Sequence, residues 1–87
     1  LTHGSLDEGI RLVEETIEID PDNPAAYVYL ARAYLDAQRI DEAMDALERA
    51  VDRGLSNDTI RTLLADLYDA QGRVLEAESL RQEIESP

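Results

Sequence analysis

Apolar residues along this chain fall into five blocks with helical spacing, separated by short polar breaks. Leu6, Ile10, Val13 and Ile17 make the first stripe, and Tyr27, Leu30, Ala31, Tyr34 and Leu35 the second. Ile40, Ala43, Met44, Leu47, Ala50 and Val51 make the third. The fourth holds Ile60, Leu63, Leu64, Leu67 and Tyr68, and the fifth Val74, Ala77, Leu80 and Ile84. Residues three and four apart share one face of a helix, so each block predicts an amphipathic helix with one buried side. The pattern predicts five helices, over 5–19, 24–37, 40–53, 57–71 and 74–85. The expected fold class is all-α.

The breaks carry their own chemistry. Ser5-Leu6-Asp7-Glu8 reads as a capping box opening the first helix. Asn23 followed by Pro24 is a cap with proline at the first helical position, where its missing N–H costs nothing. Asn57 can cap the fourth helix in the same way. Gly54 and Gly72 stand where a helix ends in the left-handed conformation, with Leu55 supplying the apolar contact after Gly54. So few residues separate the second and third blocks, around Gln38-Arg39, that these two helices must fold back antiparallel.

The blocks repeat. A shift of 34 residues lays Leu30-Ala31 on Leu64-Ala65, Tyr34 on Tyr68, Arg39 on Arg73, Glu42-Ala43 on Glu76-Ala77 and Asn23 on Asn57. The reverse shift lays Leu6 under Ile40 and Val74, Glu8 under Glu42 and Glu76, and Gly4 under Gln38 and Gly72. A fixed period of this length, carrying two helices, is the mark of a solenoid. Ala31, Ala43, Ala65 and Ala77 then have a reason to be small, because two helices of a hairpin approach closely only where a side chain is short.

A 34-residue helix–turn–helix period with Tyr27-x-x-Leu30-Ala31-x-x-Tyr34, then Ala43, Leu47 and Ala50, resembles the tetratricopeptide repeat (TPR) family. Ile19-Asp20-Pro21-Asp22-Asn23-Pro24 looks like the junction between consecutive units. The resemblance covers nearly the whole chain. It implies antiparallel helix–turn–helix units stacked as a right-handed superhelix in one domain: residues 1–22 the second helix of a partial repeat, 23–56 a complete repeat, and 57–87 a nearly complete terminal one. There are departures. Arg61 stands where the preceding unit has Tyr27, Arg81 where it has Leu47, and Leu55 where the first junction has Pro21. Glu78, Arg81 and Glu85 make the outer stripe of the last helix polar, which predicts the end of the stack there. The first helix lacks a hairpin partner. That predicts a start inside a longer protein, with Leu6, Ile10, Val13 and Ile17 partly uncovered and available for weak homodimerisation.

Composition narrows the partners. Eight arginines, no lysine and twenty acids leave a net charge of −12, which argues against nucleic acid or an anionic membrane. The same pattern fits a GC-rich genome coding arginine over lysine, or a high-salt cytoplasm in which surface carboxylates hold water. No apolar run approaches the ~20 residues of a membrane span. The absence of cysteine excludes disulfides and thiolate metal sites and is compatible with a reducing cytoplasm.

Little points to catalysis. Acid pairs such as Glu14-Glu15, Asp20 with Asp22 and Asp66 with Asp69 read as solvated charge in so acidic a chain. His3 is the only histidine, and one imidazole builds neither a zinc site nor a nucleophile–base pair with Ser5, Ser56, Ser79 or Ser86. No cofactor or metal is expected, and no enzyme activity.

By the resemblance, the first helices of successive units line a concave groove that holds a partner peptide or helix. That groove would present Ala25, Val28, Tyr29, Arg32, Leu35 and Asp36 from one unit and Thr59, Thr62, Leu63, Asp66 and Asp69 from the next. Arg32 alone cannot make the basic clamp by which some family members hold acidic C-termini. With Asp36, Asp66 and Asp69 facing it, a basic or amphipathic segment of another protein fits better. Charges at Val28, Tyr29 or Leu35 would then abolish capture without unfolding the chain. The alternative is a structural spacer or self-association element of a larger protein. In either case Ala31→Phe or Ala43→Phe should overpack a helix crossing and lower stability by about 1–3 kcal/mol in denaturant melts.

Overall fold

The computed structural model describes residues 2–85, and side chains over residues 6–84. Five α-helices follow one another: α1 (Thr2–Ile19), α2 (Pro24–Asp36), α3 (Ile40–Asp52), α4 (Asp58–Ala70) and α5 (Val74–Glu85). Among the described residues there is no strand. α2 with α3 and α4 with α5 form tight hairpins, α1 packs on α2, and α3 packs on α4. The resulting stack measures 42 × 27 × 15 Å.

The ends of the helices obey the capping chemistry. Asn23 Oδ1 accepts from the Ala25 N–H at 3.1 Å, and Asn57 Oδ1 from the Ile60 N–H at 2.9 Å. Each satisfies an amide that has no partner inside the first turn. At the other ends Gly54 and Gly72 hold φ of 77° and 79°. The next N–H reaches back to close the turn: Leu55 to the Ala50 carbonyl at 2.9 Å, and Arg73 to that of Tyr68 at 2.8 Å. α1 is different from the reading of a Ser5 cap. The helix already runs at Thr2, so the backbone of Ser5 lies inside it. Nothing in Thr2-His3-Gly4 breaks a helix, and extending a formed one costs little.

The core is one continuous layer. Leu30, Leu47 and Ile60 are fully enclosed, and Tyr27 is nearly so. Ala31, Ala43, Ala65 and Ala77 all have no exposed surface, as closest-approach residues must. Ile10 and Ile17 are also buried, with Leu6 and Val13 half-buried. Of the stripe expected to be partly uncovered, Ile10 and Ile17 are thus covered, and Leu6 and Val13 only partly so. α2 packs against this stripe. The apolar residues that α1 does expose are Leu12 and Ile19.

Departures between the two units are compensated by their neighbours. In the first, the Arg49 guanidinium lies 5.6 Å from the Tyr27 ring centroid, and the Tyr27 hydroxyl donates to the Pro21 carbonyl at 2.7 Å. One period later the ring becomes Arg61 and the arginine becomes Glu83, and these two pair at 3.4 Å between Nε and Oε1. The contact is out of line for a hydrogen bond, so Arg61 Nε remains buried without one. A cation–π pair has been exchanged for an ion pair of the opposite polarity. Arg81, standing where the preceding unit has Leu47, forks to Asp66 at 2.9 Å and Asp69 at 2.7 Å.

The α2–α3 turn uses the same left-handed residue, but there it is Gln38, with φ 62°. A side chain in this conformation is strained where glycine is not. At the equivalent Gly72 an added Cβ would meet nothing within 4 Å, so the cost is purely conformational. Gln38→Gly should raise stability, and Gly72→Ala lower it, each by about 1 kcal/mol in urea or thermal melts.

Candidate functional site

α2 and α4 lie side by side with a shallow valley between them. Its larger hollow, ≈ 420 Å³, is lined by Pro24, Ala25, Val28, Tyr29 and Arg32 from the α2 side and by Asn57 and Thr59 from the α4 side. A smaller one of ≈ 300 Å³ continues it past Arg32 to Asp58, Thr59, Thr62 and Leu63. Seven of the groove residues expected from the sequence thus meet: Ala25, Val28, Tyr29, Arg32, Thr59, Thr62 and Leu63. Pro24, Asn57 and Asp58 join them because helix starts flank the valley. The capping pattern marked those positions, but only as caps.

The other four expected residues do not line these two hollows. Leu35 is half-buried and packs against the core. Asp36 lines a hollow at the opposite end of α2, with Leu6, Asp7, Ala37, Gln38 and Arg39. Asp66 and Asp69 are both held by Arg81 of α5. The valley at these two hollows is less acidic than the groove expected. Its charged lining is Arg32 with Asp58, and Asp58 is paired with Arg61 at 3.2 Å. Among the described residues Arg32 makes no ion pair, whereas Arg39, Arg49, Arg53, Arg61, Arg73 and Arg81 all do.

Within the valley the apolar residues differ in role. Tyr29 is 64% exposed and Val28 only 8%. A charge at Val28 would enter the core rather than probe a surface, which corrects the expectation that it could be changed without unfolding. Tyr29 is the large, rigid, amphipathic side chain that the valley leaves exposed.

On the other side of the sheet of helices a polar network repeats with the helices themselves. The Tyr34 hydroxyl donates to Glu14 at 3.2 Å, and the Tyr68 hydroxyl to Glu48 at 2.5 Å. Arg39 sits 5.0 Å from the Tyr34 ring centroid, and Arg73 sits 4.3 Å from that of Tyr68. Each arginine then forks to a glutamate on its own helix turn, Arg39 to Glu42 and Arg73 to Glu76. The 34-residue shift that pairs the tyrosines also lays Glu14 on Glu48, the one member of the network that sequence reasoning passed over.

Two models of the tetratricopeptide repeat match this chain, one over residues 1–55 and the other over residues 30–86. The chain belongs to the tetratricopeptide repeat family. Curated proteins contain no significant match to it. The architecture is that of a TPR α-solenoid, and TPR repeats generally mediate protein–protein interaction on a scaffold that is typically non-catalytic. Among the described residues no helix of this TPR chain is long and apolar enough to cross a membrane. Nor do three His, Cys, Asp or Glu side chains converge there as metal ligands. His3 and the Ser5 side chain lie outside the described side chains.

The network gives the TPR fold an alkaline limit. Burial, followed by the hydrogen bond to Glu48, pushes Tyr68 up from 10.0 to about 12. Burial and Glu14 push Tyr34 in the same direction. The unfolded phenol ionises first, so this stabilisation is complete below about pH 10 and is lost as pH rises through about 12. Thermal melts across that window should show stability falling, and Tyr68→Phe should flatten the fall while weakening the fold at neutral pH.

Proposed function

We propose that this chain is a protein-binding module that holds an amphipathic segment of another protein in the valley between α2 and α4. The observation that carries the reading is Tyr29, a large aromatic side chain 64% exposed and lining a ≈ 420 Å³ hollow. Aromatic anchors of this kind supply much of the energy in peptide recognition, because a rigid ring buries area at little entropic cost. Leu63 and the methyl groups of Thr59 and Thr62 extend the apolar strip. Arg32 has no ion pair among the described residues, so its guanidinium is free to donate to carbonyl groups of the bound segment. The chain's net charge of −12 favours a segment that is basic along its outward side.

Peptides selected from a random display library against the folded chain should shift the amide resonances of Ala25, Tyr29, Arg32, Thr59 and Thr62. Tyr29→Ala should weaken the selected peptides about tenfold or more with helicity unchanged. Selected peptides that bind Tyr29→Ala as tightly as the parent, or whose shifts map to another face, would remove the valley from consideration.

A further inference from the structure

The repeating charge network is broken at one place. In the first unit Glu14 accepts from the Tyr34 hydroxyl and is also reached by the Arg49 guanidinium at 3.5 Å. Its counterpart one period later is Glu48, which accepts from Tyr68. The position corresponding to Arg49 is now Glu83, and that carboxylate is turned to Arg61. Among the described residues no cation comes within ion-pair distance of Glu48 or of its neighbour Asp52. Both border a ≈ 400 Å³ hollow between α3 and α5, lined also by Val51, Leu64, Tyr68, Ser79 and Leu80 and by Glu76, whose carboxylate is held by Arg73.

We infer that this hollow receives an arginine side chain presented by a partner protein, its guanidinium on Glu48 and Asp52 and its methylenes on Val51 and Leu80. The evidence for the ligand is internal to the molecule: the repeat-related Glu14 is already paired with a guanidinium. A planar fork satisfies two carboxylates better than an ammonium does, and its stem covers apolar surface. The same hollow does not suit a second copy of this chain, since two molecules of charge −12 repel. This surface is formed by α3, α5 and the face of α4 that carries Leu64 and Tyr68, and it shares no lining residue with the α2–α4 valley, so either can fail without the other.

The test uses an alanine-rich helical peptide with one central arginine, and the same peptide with citrulline, its uncharged isostere. The arginine peptide should saturate and shift the amides of Val51, Asp52, Tyr68 and Leu80, and the citrulline peptide should not. Glu48→Gln, which keeps an acceptor for Tyr68, and Asp52→Asn should each weaken binding about tenfold. Glu18→Gln, at the position of Asp52 in the first unit, should leave it unchanged. The double variant Arg61→Tyr/Glu83→Arg transplants the first unit's arrangement, fills the hollow from within and should block the peptide while remaining helical. Equal binding of the citrulline peptide, no saturable binding, shifts spread over the acidic surface, or full affinity in the double variant would each overturn the assignment.

Discussion

How closely the helices can approach governs everything else in this molecule. Ala31, Ala43, Ala65 and Ala77 sit at the hairpin crossings with no exposed surface, and only a side chain this short lets neighbouring helices pack at the separation seen. Larger residues fill the space on either side: Leu30 and Leu47 in one hairpin, Ile60 and Leu64 at the next. Because each helix contacts mainly its neighbours in the chain, the core never grows into a third dimension. At 15 Å along its shortest axis the stack is only as deep as the two packed helix layers of its hairpins. A helix with its side chains is about 10–12 Å across. Such a stack has room for valleys between helices rather than for a deep enclosed pocket, which is the physical reason TPR repeats generally bind partners on their surfaces.

Two valleys with different chemistry follow from that geometry. Between α2 and α4 the lining is a tyrosine, small apolar groups, hydroxyls and one arginine without an ion pair among the described residues. Between α3 and α5 it is acidic and apolar. Asp66 and Asp69 of α4, expected in the first valley, are paired with Arg81 of α5. Most arginines are consumed in this way, bound within the chain to carboxylates on their own or an adjacent helix. Exposed pairs of this sort contribute little individually to stability. Their larger effect is on the surface potential, since each arginine that is paired leaves the remaining acids uncompensated elsewhere.

The tyrosine network shows how the repeat tolerates change. Tyr34 and Tyr68 keep identical partners in both units, glutamate at the hydroxyl and arginine over the ring. At Tyr27 the partners changed together, ring and guanidinium becoming guanidinium and carboxylate at Arg61 and Glu83. Either arrangement holds the hairpin. Only the first leaves a guanidinium for the preceding glutamate, so an exchange that still holds the hairpin alters the charge the surface presents.

The five helices, their caps at Asn23 and Asn57, the turns at Gly54 and Gly72 and the small residues at the crossings were legible in the sequence. Each depends on residues within a few positions of one another, or on a period of 34 that the chain displays directly. Seven of the eleven expected groove residues line the two hollows between α2 and α4, since helical phase places them on one side. What could not be read was which neighbour covers a given face. Ile10 and Ile17 look like an open stripe until α2 is laid against them, and Val28 looks like a surface residue until its burial is known. Asp66 looks free until Arg81 arrives from fifteen residues away. Local sequence determined the elements and the side each presents, because helix formation and capping are short-range. Tertiary structure alone decided which carboxylates are spoken for and which apolar faces stay exposed, because those depend on how far each helix turns toward the next.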